Sequence, residues 1–155
     1  MIAPLFPVRV YHADGTVCGL DRIWVFGSNT GGRHGKSSAL VAAKYFGAVE
    51  GVGHGRTGQA YAIATRKQVS PTNNWIVTRT LEEIAIEVAE FVEYTHRNND
   101  LEYMVTSIAC GNAGYTPEQI APMFREAVNC SFPLEWKKHL DLVDQRVFEN
   151  HKKSM

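Results

Sequence analysis

The sequence predicts an α/β fold: a three-layer α/β/α sandwich around a mixed, mainly parallel sheet. Three observations carry this. Two apolar runs, at 23–26 and 104–108, each end abruptly in glycines and small polar residues and are followed by a helix pattern. Extended and helical periodicities alternate along most of the chain. The 155 residues, 45% hydrophobic and 21% charged, suit one domain with a sizeable core. That domain spans 1–155, with its core at about 21–128 and a helix and tail at 134–155.

Residues 8–11 read as a short strand and 12–16 as a turn. Residues 22–26 form a buried strand, and 27–36 a first loop. A helix over 37–46 places Leu40, Ala43, Tyr45 and Phe46 on or near one face, and Gly47 stops it. Nine of the 13 glycines fall between Gly27 and Gly58, which argues for a special backbone surface. Residues 60–65 form a strand, 70–74 a loop and 75–77 a brief extended piece.

The clearest helix runs over 80–96. Thr80 and Glu83 make a capping box, and Leu81, Ile84, Ala85, Val88, Phe91 and Val92 recur at helical spacing. A strand over 103–108 leads into a second loop, 110–115. Thr116, Pro117 and Gln119 then cap a helix that runs to about residue 128. Residues 131–133 are extended, 134–148 helical, and 149–155 a frayed tail.

Sixteen basic residues balance sixteen acidic ones, so there is no general attraction to nucleic acid or an anionic membrane. Cys18, Cys110 and Cys130 form no CxxC pair and fit a reducing compartment. The first residues lack a signal-peptide pattern, and no stretch is long enough to span a membrane. These features predict a cytoplasmic protein. The six histidines show no ligand spacing, so no metal site is expected, and no cofactor is implied.

The chemistry lies in the two loops. The first contains Gly27, Ser28, Asn29, Gly31, Gly32, Arg33, His34, Gly35 and Lys36; the second contains Cys110, Gly111, Asn112, Ala113, Gly114 and Tyr115. Glycine lets backbone approach a ligand closely, and helix N-termini present unpaired N–H groups. Together they predict a cleft for phosphate or another anion. Arg33, His34 and Lys36 are candidates to grip it, with His34 a candidate acid or base. His54 and Arg56 either reach the same ligand or are solvated. Cys110 stands where a nucleophile could be activated, but no partner is identifiable, which favours a small apolar residue. Trp24 and Trp75 read as core residues, and Tyr45, Phe46 and Tyr61 as packing groups.

The order of these pieces resembles the macro domain, a nucleotide-binding fold that typically recognises ADP-ribose. The resemblance covers residues 21–128 and is most specific at 107–118, where strand, G-x-x-G-aromatic loop and capped helix follow in order. The G-S-N-x-x-G-R-H-G wording of the first loop is similar to small macro-like proteins frequent in bacteriophage genomes. The resemblance implies roles. Asn29 would sit near the distal ribose, and Gly31, Gly32 and Arg33 would line ribose and diphosphate. Gly111, Asn112, Ala113 and Gly114 would wrap the diphosphate with backbone N–H groups. Tyr115 would close over ribose or phosphate, and Asp21 would stand near adenine. The acidic residue that hydrolytic relatives often carry in the glycine cluster is missing from 31–39, which favours binding over hydrolysis.

The expected function is therefore binding of ADP-ribose or a related NAD-derived nucleotide, with sequestration of a phage-defence signal as one use. An ADP-ribosyl hydrolase is the alternative. A P-loop is disfavoured because Thr30 stands where its first glycine should be. A host-protein interaction module with a vestigial pocket is the remaining reading.

Overall fold

The computed structural model describes residues 9–35, 37–69, 76–111 and 113–140. Seven strands form one sheet: β1 (Val10–His12), β2 (Ile23–Asn29), β3 (Gly55–Thr57), β4 (Ala60–Gln68), β5 (Ile76–Thr78), β6 (Tyr103–Val105) and β7 (Cys130–Pro133). Their order is β1-β7-β6-β2-β4-β3, with β5 also paired to β4. The β1–β7, β7–β6, β6–β2 and β2–β4 pairs are parallel; β3 and β5 run antiparallel to β4. The main helices are α1 (Ser37–Tyr45) and α2 (Leu81–Arg97), followed by the single turns α3 (Pro117–Ile120) and α4 (Lys137–Leu140).

Period-2 alternation along β2 divides the core between two faces. Trp24 and Phe26 pack with Ala60, Ala62 and Met104 under Ala39 and Ala42 of α1 and the following Phe46. Ile23 and Val25 pack with Tyr61, Ile63, Tyr103 and Val105 under Ile84, Val88 and Phe91 of α2. Phe124, Trp136 and Leu140 join this second cluster. Helices on both faces of a mostly parallel sheet make the three-layer α/β/α architecture.

Helix α2 forms as its sequence dictates. The Thr80 side chain accepts from the Glu83 N–H while Glu83 reaches back to the Thr80 N–H. Thr116 and Gln119 repeat the device. The second helix nevertheless ends early: after Ile120 the chain tightens into a 3-10 turn over Ala121–Phe124. Pro122, inside this segment, has no N–H to continue an α-helical ladder.

Other elements depart from the sequence pattern. Strand β2 continues through Gly27, Ser28 and Asn29, because β4 pairs with it along that whole stretch. Strand β3 lies within the glycine-rich region, where no strand is expected from composition. Helix α1 turns Ala39 and Ala42 inward, leaving Leu40 38% and Tyr45 64% exposed. Small residues let it lie close over the stacked Trp24–Phe46 pair (ring centroids 5.2 Å apart). Tyr45 is thus not the packing group expected. Trp75, the whole predicted 70–74 loop, and residues 141–155 of the C-terminal helix and tail lie outside the described residues.

Candidate functional site

All the parallel strands end on one side of the sheet, where loops and helix N-termini converge and open α/β sheets bind ligands. A cleft of about 950 Å3 opens there. Gly27, Ser28 and Asn29 of β2 line it, with Thr65 and Arg66 of β4, Thr106 to Gly111 after β6, and the first turn of α1 at Ser37, Ser38 and Ala39. The structure therefore brings Gly27, Ser28, Asn29, Arg33 and Gly35 of the first loop together with Cys110, Gly111 and Ala113 of the second. Lys36 and Asn112 lie outside the described residues.

The first loop owes its shape to Asn29. Its amide oxygen accepts from the Arg33 N–H at 3.2 Å, and its amide nitrogen donates to the Arg33 carbonyl at 3.0 Å. The side chain expected at a ribose is thus a brace for the loop that carries Arg33. Thr30 adds a second brace, accepting from the Gln68 N–H at 2.9 Å.

Several predicted contacts are corrected. Gly31 and Gly32 do not line the cleft. A Cβ at Gly31 would meet the Gln68 side chain, and one at Gly32 (φ +69) would lie 2.2 Å from Gly51 C. Gly53 likewise lies against the Asn29 carbonyl, and the Gly51 N–H donates to the Gly32 carbonyl at 2.8 Å. These glycines let two stretches of the chain's own backbone touch. By contrast, a Cβ at Gly35 or Gly111 would meet open space.

His34 is also corrected. It is 3% exposed and does not line the cleft. Its ring stands edge-on to Phe26 (centroids 5.3 Å apart), and Nε2 donates to the Val49 carbonyl at 3.1 Å. Its backbone N–H donates to the Glu50 carboxylate at 3.1 Å. A buried, packed ring has no access to a bound ligand, so His34 joins the two glycine segments and is not placed as an acid or base.

In the second loop, Ala109 adopts φ +63. The Tyr115 N–H donates to the Ala109 carbonyl, the Cys110 N–H to Ser107, and the Gly114 N–H to Gly111. Three of the loop's N–H groups thus close the loop on itself. Gly114 and Tyr115 do not line the cleft. The Tyr115 hydroxyl donates to the Arg79 carbonyl at 2.6 Å, which ties the ring to the chain just before α2. Asp21 sits before β2, at the amino end of that strand and away from the cleft.

His54 and Arg56 are exposed and lie away from the cleft, each engaged by surface partners. The Arg56 guanidinium donates to the Gly58 carbonyl, the Tyr94 hydroxyl and the Gln59 side chain. The two His54 ring nitrogens lie 2.6 and 3.1 Å from Glu87 and Glu90 of α2. These three residues could hold a cation. Yet each ring nitrogen faces a different carboxylate, and Glu87 also accepts from the Ala64 N–H and faces Arg79 at 3.7 Å. The arrangement is a polar clasp between the loop and α2.

Sequence reasoning missed four cleft residues that carry charge or can acquire it: His12, Asp14, Arg66 and Glu135. Arg66 had a signal, since it follows a predicted strand that would run parallel to β2. Its Nε is buried with no hydrogen-bond partner among the described residues. His12 closes β1, and its Nδ1 lies 2.7 Å from the buried Ser131 hydroxyl. Burial lowers its pKa and the Glu135 charge partly restores it.

Cys110 is half-buried. Burial, and then the Glu135 charge, push its thiol up to about 11. The thiolate is the reactive form, so a thiol pushed up to about 11 holds roughly a hundredfold less of it at pH 8 than an ordinary thiol. Native protein should therefore take up iodoacetamide at Cys110 about a hundredfold more slowly than unfolded protein at pH 8, with the rate rising toward pH 11. Mass spectrometry of the labelled peptide checks this; equal rates would contradict the inert thiol.

No protein-family model and no curated protein matches this chain. A solved structure of a protein of unknown function from Bacteroides thetaiotaomicron is similar to it, with a TM-score of 0.52 and 14% sequence identity. The match covers 82% of this chain and 98% of that one. At that identity the likeness is one of fold. No helix among the described residues is long and apolar enough to cross a membrane.

Proposed function

We propose that the cleft binds ADP-ribose or a related NAD-derived nucleotide. The observation that carries this reading is the convergence at one cleft of two glycine-bearing loops, the first turn of α1 and two arginines. Its volume, about 950 Å3, suits a nucleotide with a second sugar. Arg33 and Arg66 supply the positive charge that a diphosphate needs, and the open side of Gly35 and Gly111 admits phosphate close to backbone. Ser37 (φ +51) and Ala109 (φ +63) both hold positive φ and both line the cleft. Such costly backbone clusters at functional sites. Sequestration of a nucleotide signal is the use that needs nothing beyond binding.

Thermal melting against ADP-ribose, cyclic ADP-ribose isomers, NAD, AMP and ATP with magnesium tests the reading, with each ligand recovered afterwards by chromatography. An ADP-ribose-class ligand at a hundred times its Kd should stabilise the fold by about 2.7 kcal/mol, and Arg66→Ala should remove most of the shift. Intact recovered ligand supports binding alone, whereas breakdown assigns hydrolysis. No shift with any of these nucleotides overturns the reading.

A further inference from the structure

We propose that the cleft is polarised, and that Glu135 makes its β1–β7 end accept a neutral, hydrogen-bond-donating part of the nucleotide and reject a second phosphate there. The inference rests on the nucleotide reading above and names the ligand class more narrowly: a diphosphate whose Glu135 end carries sugar hydroxyls or an amine.

The charged groups that line the cleft sort by strand. Arg33 follows β2 and Arg66 lies near the end of β4. Beyond β6, Asp14 follows β1 and Glu135 follows β7. In the order β7-β6-β2-β4, three strand spacings separate the carboxylate side from Arg66, roughly 14 Å. That span suits an extended nucleotide with its anionic part at one end of the cleft.

Glu135 is held in place. The Ser107 hydroxyl donates to its Oε1 at 3.1 Å, which aims an exposed side chain along the cleft wall. Its field reaches both neighbours, since it opposes ionisation of Cys110 and favours protonation of His12. Burial, and more weakly the Arg22 charge, favour the neutral form of His12, which limits how far the imidazole offsets the carboxylate. A phosphate arriving here would face Glu135 and Asp14 together. Like charges juxtaposed at a binding surface exclude the wrong partner. Ribose hydroxyls or an exocyclic amine instead bring the donors that a carboxylate accepts.

Calorimetric titration of the full chain tests this with three probes: ADP-ribose, 2′-phospho-ADP-ribose and ADP-ribose 1″-phosphate. The extra phosphate sits on one sugar or the other, so either ligand orientation is covered. Wild type should bind at least one phosphorylated probe about tenfold or more weakly than ADP-ribose. Glu135→Lys should shrink that gap below about threefold, and Glu135→Gln should shrink it partly. Glu82→Lys, the same charge change on exposed α2 surface, should leave it unchanged. Melting of each variant checks that the fold is kept. Equal binding of all three probes overturns the inference, as does a gap that survives Glu135→Lys. If wild type binds none of the three, the nucleotide reading fails and this inference fails with it.

Discussion

Gly32→Ala should destabilise the fold by about 3–5 kcal/mol, the largest effect of any small substitution in the two loops. Two costs add. At φ +69 an L side chain occupies left-handed backbone space, and the new Cβ would stand 2.2 Å from Gly51 C and 2.3 Å from Val52 N. Those atoms are backbone and cannot rotate away as a side-chain tip would. They are also tied down, since the Gly51 N–H donates to the Gly32 carbonyl. Gly111→Ala places its methyl in open space and should change stability by less than about 1 kcal/mol. Urea denaturation of the two variants decides the matter. A Gly32→Ala protein within 1 kcal/mol of wild type would mean that the two glycine segments are not in contact. If that variant does not fold, Gly32→Asn separates the causes. Asparagine tolerates positive φ but carries the same Cβ, so equal loss would identify the clash as dominant.

Phe91→Ala should cost about 3–5 kcal/mol and lower the melting temperature by roughly 10 °C for a chain of this size. Phe91 is fully buried at the centre of α2's inner face. Its ring meets Tyr61 at 5.0 Å, Tyr103 at 5.6 Å and Phe124 at 5.9 Å, in edge-on geometry at each contact. It therefore joins β4, β6 and the turn after α3. Truncation leaves a cavity walled by rings on separate elements, which collapse poorly onto it. Phe91→Leu keeps much of the apolar volume and should lose less than half as much. Scanning calorimetry of both variants checks the order, and an alanine variant that melts within about 3 °C of wild type would contradict a shared core around this ring.

The helix α2 and its cap were legible in the chain because everything they need is local. Thr80 and Glu83 are three residues apart, and the apolar stripe from Leu81 to Val92 repeats at helical spacing. Strands β2, β4 and β6 were legible as apolar runs, and their alternation with helices was enough for the layered α/β class. The short strand β3 was not, since Gly55, Arg56 and Thr57 have no strand-like pattern and are extended because β4 offers them a partner. The inward face of α1 was misread for a related reason. Hydrophobicity favours Leu40, but the space over Trp24 and Phe46 admits alanine.

The candidate site divides along the same line. Composition and spacing alone determined that two glycine loops follow strands and enter helices, and so where a cleft should open. Which glycines serve that cleft was decided by the tertiary structure. Gly32 and Gly53 are spent on contact between loops, because that contact depends on 20 or so residues of intervening chain folding back. His34 became a packing group when Phe26 and Val49 closed on it. Glu135 reached the cleft only because β7 lies beside β6 in parallel register, which brings a residue 28 positions further along the chain to Ser107. Local sequence sets backbone preference and periodicity; proximity across the sheet is set by strand order, which no local window contains.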